Sequence, residues 1–322
     1  MSAMSESVTV AFIGAGSHAN YAHYPSLSEM EDVQIAAVCD LNPERAAATA
    51  QRWNIPRTYT DYRQMLTETR PQAVYIILPP HQMYDIVADC LQRGLHVFIE
   101  KPPGITPEQT RNLACLAEKH HCLTMVGFQR RFVPVVVQAR RRVEERGAIT
   151  QCLARFVKSG GTEDYYGGAV DILTCDAIHA VDNLRWMGGE VKKIVSKIDR
   201  FHSPVYNAFN ALMEFESGAT GILLTNWVTG RRIYSVEMHG YNISAYAEPD
   251  DRAVIYRDGS LEPEVILNTE AAGSDAPHRY LGFYDENRHF IDCIKSGQQP
   301  QTCFADAVKT MELVERIYHE RL

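Results

Sequence analysis

The chain has 322 residues, a formal net charge of −8 at pH 7, and hydrophobic residues at 45% of its positions. This length predicts two domains, and the acidic balance argues against nucleic acid as a partner. No apolar stretch is long enough to cross a membrane, and the polar N-terminus, MSAMSES, is unlike a signal peptide. The eight cysteines have no CxxC spacing, so we expect reduced thiols, a cytoplasmic location and no bound metal.

The first predicted strand leads directly into a glycine-rich turn. Val8–Ile13 is almost entirely apolar, which is typical of a strand buried on both faces. The turn has the pattern G-x-G-x-x-A, with Gly14, Gly16 and Ala19, and free N–H groups at the following helix start can hold phosphates. A second apolar strand ends at Asp40, where a carboxylate can accept hydrogen bonds from an adenosine ribose. Strand, turn and acid together favour dinucleotide binding over a purely structural turn.

Strands and helices continue to alternate after Asp40. Further buried strands are predicted at 73–78, 96–99 and 123–127, and the helices between them begin at capping residues or prolines. This alternation predicts a doubly wound parallel sheet, a Rossmann domain that binds a dinucleotide, over residues 1–127. A histidine at position 81 follows the end of one strand, so it either contacts the cofactor or only opens the next helix.

The pattern changes in residues 128–322, where strands follow one another. One helix is predicted from about Ile172 to Met187, and the tail from about Tyr284 is predicted to be helical with a loop at 296–300. The strand runs suit an open, largely antiparallel sheet with one exposed face, so we expect an α+β domain. The predicted strands are 149–158, 191–199, 208–216, 219–228, 233–240 and 243–247.

Six stretches of the sequence carry a family resemblance. They are GAGSHA, VCDLNPERA, GLHVFIEKPPG, VGFQRRF, IHAVDNLRWMGG and ENRHFIDCIKSGQQP. In this order they resemble the Gfo/Idh/MocA family, the glucose–fructose oxidoreductase and inositol dehydrogenase group. The resemblance implies a second domain that binds substrate and forms oligomer contacts through the exposed face of its sheet, as a homodimer or homotetramer. It also implies hydride transfer between nicotinamide and a secondary alcohol of a sugar, cyclitol or related polyol.

Lys101 and His179 are the residues expected to carry the chemistry. Lys101 follows the end of a strand, where a cation can stabilise an alkoxide, and its match to the family's E-K-P motif favours a site role over an ordinary surface lysine. His179 lies on the predicted helix, and an imidazole suits proton removal from an alcohol near neutral pH. Without the resemblance, a helix histidine that is merely hydrogen-bonded at a domain junction would be the simpler interpretation.

The acid expected near His179 is displaced by one residue. Dehydrogenases of this family usually have D-x-x-x-H, whereas the position four residues before this histidine is Cys175. In a regular helix Asp176, three residues before it, can still reach the ring from another side, and Asp171 is two turns away. We therefore predict Asp176 as the polar partner of His179, with an altered or absent activity as the alternative.

The remaining predictions concern contacts to substrate and cofactor. Arg130 resembles the family's substrate-side arginine, with a sugar hydroxyl or a carboxylate as its target. Tyr165 and Tyr166 could form a substrate wall or serve only as loop anchors, and Asp182 shares the helix face of His179. The predicted cofactor contacts are Gly14, Gly16, Ser17, His18, Asp40, Leu78, Pro79, His81, Glu100, Lys101 and Gln129. The predicted substrate contacts are Arg130, Tyr165 and Asp182.

The expected activity is NAD(P)-dependent oxidation or reduction at a CH–OH group. Asp40 predicts NAD rather than NADP, because a 2′-phosphate about 4 Å from that carboxylate would be repelled by on the order of 1–4 kcal/mol. Arg45 is a nearby cation that could soften this preference. Two alternatives stay open: a glycoside hydrolase or lyase that uses tightly bound NAD for transient oxidation, and a non-catalytic nucleotide-binding regulator.

Overall fold

The chain divides into two compact units. The computed structural model describes residues 7–322, so the expectation about a leader segment, which concerns residues 1–6, lies outside the described residues. The first unit comprises the chain up to Gly127 together with Phe283–Val308, and the second comprises Phe128–Gly282 together with Lys309–Leu322. Within residues 7–322, none of the helices is long and apolar enough to cross a bilayer.

A six-stranded parallel sheet forms the centre of the first unit. Its strands are β1 (Val8–Ile13), β2 (Val33–Cys39), β3 (Thr58–Tyr59), β4 (Ala73–Ile76), β5 (His96–Glu100) and β6 (Thr124–Gly127). They lie in the order β3-β2-β1-β4-β5-β6, so the strand order reverses between β1 and β4. A dinucleotide binds at this reversal point in Rossmann folds, beyond the carboxyl ends of the strands. The Rossmann fold predicted from the sequence is confirmed.

Several helices of this sheet begin where the sequence supplies caps. They are α1 (Ser17–Ser28), α2 (Pro43–Trp53), α3 (Tyr62–Thr69), α4 (Pro80–Gln92) and α5 (Pro107–Lys119). The side chain of Asn42 accepts the N–H of Arg45 at the start of α2, and Thr106 accepts the N–H of Gln109 at the start of α5. Each cap is followed by a proline whose missing N–H costs nothing in the first turn.

An eight-stranded sheet forms the second unit. Its strands are β7 (Gln151–Val157), β8 (Val191–Asp199), β9 (Ala208–Phe215), β10 (Thr220–Asn226), β11 (Ile233–Gly240), β12 (Ile243–Ala247), β13 (Arg252–Arg257) and β14 (Glu264–Leu267). Their order is β14-β13-β12-β11-β7-β10-β9-β8, and β7 with β10 is the parallel pair in an otherwise antiparallel arrangement. Alternation of buried and accessible residues, clearest in β7 and β10, matches the predicted open sheet. The predicted strands did not include β13 and β14, which are short and carry several charged residues.

Helices of the second unit pack on its sheet and on one another. They are α6 (Pro134–Glu144), α7 (Ile178–Gly188), α8 (Asn268–Ala272) and α9 (Pro277–Tyr280). The helix predicted from about Ile172 is not regular, because Leu173–Ala177 forms a π-helical turn before α7 begins. The i→i+5 bonding of a π turn changes the angular spacing of its residues, so side-chain directions predicted for a regular helix do not apply there.

The C-terminal segment does not follow the predicted domain boundary. The sequence interpretation assigned all of 128–322 to the second domain, whereas Phe283–Val308 belongs to the first unit. This segment contains α10 (Phe283–Ser296) and the start of α11 (Phe304–His319). The ring of Phe290 on α10 is fully buried and lies 5.7 Å from that of Phe98 on β5. Burial of this apolar face in the first unit is the physical reason for the difference.

Candidate active site

The carboxylate of Asp40 holds the glycine-rich turn in place. Its Oδ2 accepts the N–H of Ala15 at 2.9 Å, and its Oδ1 accepts the N–H of Asn42 at 2.9 Å. Gly14 has φ +113°, and a Cβ there would lie 2.3 Å from the carbonyl oxygen of Ile77, so only glycine fits. Each Asp40 oxygen keeps a second lone pair, which leaves acceptor capacity for a ribose hydroxyl.

The start of α1 is open to an anion. A Cβ built on Gly16 would meet nothing within 4 Å, and the first turn of α1 has neither an acidic residue nor a capping side chain. Its N–H groups and its dipole therefore favour a bound phosphate. Ser17 and His18, two of the predicted cofactor contacts, are exposed in this turn. The residues present thus fit a dinucleotide, and the assignment of individual contacts stays a prediction.

Glu100, at the end of β5, is buried between two histidines. Its Oε1 lies 3.0 Å from Nε2 of His18 and 3.0 Å from Nε2 of His23, while its Oε2 accepts the N–H of Lys101 at 3.2 Å. The amide of Asn287 donates to the carbonyl of Phe283 at 2.7 Å and also lies 3.2 Å from Nδ1 of His23. Nδ1 is then an acceptor, so Nε2 of His23 carries the proton that it donates to Glu100.

The pKa values of this cluster follow from burial and from the two imidazoles. Burial would raise the pKa of Glu100, but His18 and His23 outweigh burial and lower that pKa well below its usual range. Burial also opposes the charged form of His18, yet the Glu100 carboxylate raises the pKa of His18 overall. The fully buried His23 has a lowered pKa, chiefly because of desolvation. Glu100 is thus an anion that stabilises positive charge on His18, and no role for His23 or Asn287 was predicted from the sequence.

The ligand atoms of His18, His23 and Glu100 lie within 4.8 Å of one another. Two imidazoles and a carboxylate are a donor set that can bind a divalent metal. In the described residues these side chains satisfy one another by hydrogen bonds, and we assign no metal to them. A Cβ on Gly127, on the neighbouring strand, would lie 2.8 Å from Oε1 of Glu100, so glycine at that position gives the carboxylate its room.

Several predicted cofactor contacts lie near the carboxyl ends of the strands in the first unit. Lys101 follows β5 directly and is close enough to His18 for its charge to oppose protonation of that imidazole. His81 is exposed in the first turn of α4, where its ring lies 3.2 Å from the amide nitrogen of Gln82. Leu78 and Pro79 link β4 to α4. Gln129 belongs to the second unit, in a short 3-10 turn, and its cofactor role stays a prediction.

In the second unit, His179 is buried in the first turn of α7. The residue is 5% exposed, and its ring lies 6.4 Å from that of Phe128 in an edge-on arrangement. The hydroxyl of Tyr234 lies 3.1 Å from the carbonyl oxygen of His179 and 2.7 Å from Oδ1 of Asn183. These contacts fix the backbone that carries the imidazole.

The acids before His179 have well-defined partners. Asp176, in the π turn, accepts the hydroxyl of Tyr165 at 2.8 Å and forms an ion pair with Lys158. Asp171 accepts the N–H of Thr174 within the turn at 2.9 Å and the hydroxyl of the distant Tyr318 at 2.6 Å. The predicted action of Asp176 on His179 stays a prediction. Lys158 was not predicted from the sequence, because its ion pair with Asp176 depends on the path of the chain after β7.

The neighbouring arginines Arg130 and Arg131 have different surroundings. Arg131 binds Asp182 through two bonds, with Nε 2.7 Å from Oδ2 and Nη2 2.5 Å from Oδ1, and Asp182 also accepts the hydroxyl of Thr310 at 2.9 Å. Asp182 is 1% exposed and forms a buried ion pair, and the substrate contact predicted for it stays a prediction. The guanidinium of Arg130 instead lies 3.6 Å from the centre of the Tyr234 ring.

The two predicted wall tyrosines also differ. The hydroxyl of Tyr165 lies 2.8 Å from Asp176 and 3.4 Å from Nε1 of Trp227, and burial together with the Asp176 charge raises its pKa. Tyr166 is 51% exposed and has φ +55°. Tyr165 is therefore fixed beside Asp176, as expected of a residue that shapes a site or anchors a loop.

Two family models match the chain. The one described as "Oxidoreductase family, NAD-binding Rossmann fold" covers residues 8–128, and the one described as "GFO/IDH/MocA C-terminal domain" covers residues 137–246. Fold and site thus define an oxidoreductase built on an NAD-binding Rossmann domain. The chain belongs to the Gfo/Idh/MocA family.

Known relatives resemble the chain over most of its length. It is 24% identical to D-apiose dehydrogenase of Paraburkholderia graminis, with 96% of this chain and 86% of that protein covered. It is 26% identical to D-glucoside 3-dehydrogenase of Escherichia coli, with 89% of this chain and 86% of that protein covered. Among solved structures, a dehydrogenase from Chromobacterium violaceum has a TM-score of 0.88 at 21% identity, with 97% and 95% covered. The family and enzyme class predicted from the sequence, a nicotinamide-dependent dehydrogenase or reductase acting on CH–OH, are confirmed.

Proposed function

We propose that the protein uses NAD to oxidise a secondary alcohol of a sugar, cyclitol or related polyol, or to reduce the corresponding ketone. The turn pinned by Asp40 carries this proposal, because it leaves both acceptor capacity for a ribose and an open helix start for phosphates. Two relatives are named for D-apiose and D-glucosides, which supports a sugar-like substrate.

The first unit is proposed to bind the cofactor. The N–H groups at the start of α1 would hold the pyrophosphate, with the imidazole of His18 beside them. Asp40 would accept the ribose hydroxyls through the lone pairs that Ala15 and Asn42 leave free. A bound nicotinamide supplies the hydride acceptor. Glu100 would act as a positioning residue, since its carboxylate holds His18 and the backbone of Lys101.

The proton chemistry is assigned to His179 and Lys101. His179 would take the substrate hydroxyl proton as general base, which is a task suited to imidazole near neutral pH. Lys101 would stabilise the alkoxide as hydride leaves the carbon. Asp176 keeps its predicted role beside His179, now as one member of a group with Lys158 and Tyr165.

A substrate screen that measures both NADH and the ketone product tests the proposal. Neutral and acidic sugars, cyclitols and polyols are incubated with NAD, and NADH is compared with ketone formed. One NADH per ketone is the expected result. Products without net NADH would indicate the transient-oxidation hydrolase or lyase, and NAD binding without turnover of any compound would indicate the regulator.

We also propose that the exposed face of the eight-stranded sheet forms a contact between copies of the chain. Cross-strand pairing aligns one row over this face that is apolar or aromatic except for a single glutamate. The row is Val195, Leu212, Ile222, Leu153, Glu237, Tyr246, Val254 and Val265. Leu212 is 52% exposed and Tyr246 41% exposed. Light scattering should give a dimer or tetramer that Leu212→Glu dissociates.

The cytoplasmic location stays a prediction, which cell fractionation would test.

A further inference from the structure

Three cations surround the buried ring of Phe156 in the second unit. Nζ of Lys158 lies 5.0 Å from the ring centre, and the guanidinium carbons of Arg130 and Arg232 lie 5.5 and 5.6 Å from it. Arg130 also lies 3.6 Å from the centre of the Tyr234 ring, on the strand beside Phe156. Three positive charges so close together repel one another unless anions compensate them.

Within residues 7–322, two of these cations have a carboxylate and the third does not. Lys158 forms an ion pair with Asp176, and Nη1 of Arg232 lies 2.6 Å from Oδ2 of Asp250. Arg130 is affected by both carboxylates only as charges at longer range, and Arg232 opposes it. Among the residues that the structure describes, the cluster therefore contains three cations for two anions, and the excess charge lies at Arg130.

Arg130 is also incompletely hydrogen-bonded. It is only 7% exposed, and among residues 7–322 no group accepts a hydrogen bond from its buried Nε. Burial lowers the pKa of Arg130, because the charged form is desolvated without a partner. The aromatic rings attract the guanidinium, but they offer no acceptor in the plane of its N–H groups.

We propose that Arg130 binds a carboxylate of the substrate, so that the enzyme acts on polyhydroxy acids such as uronates or aldonates. A planar carboxylate would neutralise the charge of a guanidinium and accept hydrogen bonds from its N–H groups. Tyr234 links this position to the proposed base, since its ring lies against the guanidinium of Arg130 and its hydroxyl lies 3.1 Å from the carbonyl oxygen of His179. The proposal rests on the proposed function and narrows its substrate class.

Equilibrium binding tests the proposal without relying on turnover. Calorimetric titrations, with and without NADH, compare D-galacturonate with D-galactose and D-gluconate with D-glucitol, and D-glucose 6-phosphate serves as a different anion. Each carboxylate should bind about 10- to 100-fold more tightly than its neutral partner. Arg130→Gln should remove this difference while neutral sugars bind within about threefold of wild type. Arg130→Lys should keep only part of it, because lysine lacks the planar fork.

Arg232→Gln is the matched control, because that cation lies on the same ring but has its own carboxylate. It should leave the preference for carboxylates intact. The proposal would be overturned if acids and neutral sugars bound equally well, or if D-glucose 6-phosphate bound more tightly than the carboxylates. It would also be overturned if Arg232→Gln lost the preference for carboxylates as fully as Arg130→Gln. If Arg130→Gln does not fold, wild type and Arg130→Lys decide the question. Acid binding without NADH formation would refute only the proposed function, and oxidation of neutral sugars alone would refute only this inference.

Discussion

Two buried charges, one in each unit, differ in how the protein satisfies them. Glu100 in the first unit is 8% exposed and has donors on both oxygens, with His18 and His23 at 3.0 Å and the N–H of Lys101 at 3.2 Å. Arg130 in the second unit is 7% exposed and lies against aromatic rings, and no group in the described part of the chain accepts a hydrogen bond from its Nε. The two side chains are buried to nearly the same extent but differ in pairing.

The difference separates a positioning role from a binding role. A buried carboxylate with all its donors in its own unit is already stabilised, which supports the positioning role proposed for Glu100. A buried guanidinium without an acceptor retains its desolvation cost, which a bound anion would reduce. Adjacent Arg131, fully paired with Asp182, shows that this part of the second unit can supply a carboxylate when a structural pair is required.

The largest effect is expected when a paired charge loses its partner. Arg131→Met would leave the carboxylate of Asp182 charged, buried and without its bidentate partner, which typically costs about 3–5 kcal/mol. Arg130→Met should change the free energy of unfolding by only about 1 kcal/mol in either direction, because an uncompensated charge is removed along with its aromatic contacts. Urea unfolding of both variants measures this. Similar losses of stability in the two would contradict the contrast between paired and unpaired arginines.

A large effect is also expected on turnover, without loss of cofactor binding. His179→Ala and Lys101→Ala should each lower kcat by about a hundredfold or more, the usual scale for groups that move or stabilise a proton. Titration of NADH by fluorescence should give nearly unchanged affinity for His179→Ala. His202→Ala, which removes an exposed histidine of the same unit, is the control and should turn over normally. Wild-type turnover in His179→Ala would show that the base is another group.

Local sequence signals predicted the strands of the first unit, several helix caps and the turn at Gly14, because each depends on residues close together in the chain. The alternation of strands and helices then indicated a parallel sheet. The π turn at Leu173–Ala177 could not be read from periodicity, which assumes regular bonding. The apolar face of α10 was visible, but not which unit would cover it. The Glu100 cluster escaped prediction because His23 and Asn287 come from distant parts of the sequence. Nor could the sequence show that Arg131 pairs with Asp182 whereas Arg130 lies against the Tyr234 ring.

A smaller effect is expected on the choice of cofactor. NADH should bind about 10- to 100-fold more tightly than NADPH, since a 2′-phosphate near Asp40 would be repelled by roughly 1–4 kcal/mol. Arg45, whose Nη1 lies 3.6 Å from Oδ2 of Asp40, limits the difference. Asp40→Asn should narrow the ratio of the two dissociation constants, and Glu44→Gln, one turn along, should not. Tighter binding of NADPH to the wild type would contradict the assignment of NAD.

The smallest effect concerns a compensated charge close to the surface of the first unit. Asp32 accepts Nη1 of Arg288 at 2.7 Å and pairs with Lys295, and these two cations hold the pKa of Asp32 at about 2. The folded pKa is depressed, so the stabilisation is fully present above about pH 4 and is lost as the pH falls towards 2. With a quarter of the side chain exposed, we expect Asp32→Asn to lower the free energy of unfolding by roughly 1–2 kcal/mol at pH 7.

The pH dependence of this loss distinguishes an ion pair from simple packing. The difference between wild type and Asp32→Asn should be constant from pH 7 to about pH 5 and should shrink as the pH is lowered further, because wild-type Asp32 then gains the proton that the asparagine variant mimics. Asp85→Asn, which changes an exposed carboxylate on α4, should show little difference at any pH. A loss that stayed the same down to pH 3 would assign the effect to the shape of the side chain. In that case compensation of charge between Asp32 and α10 would not be what stabilises this part of the first unit.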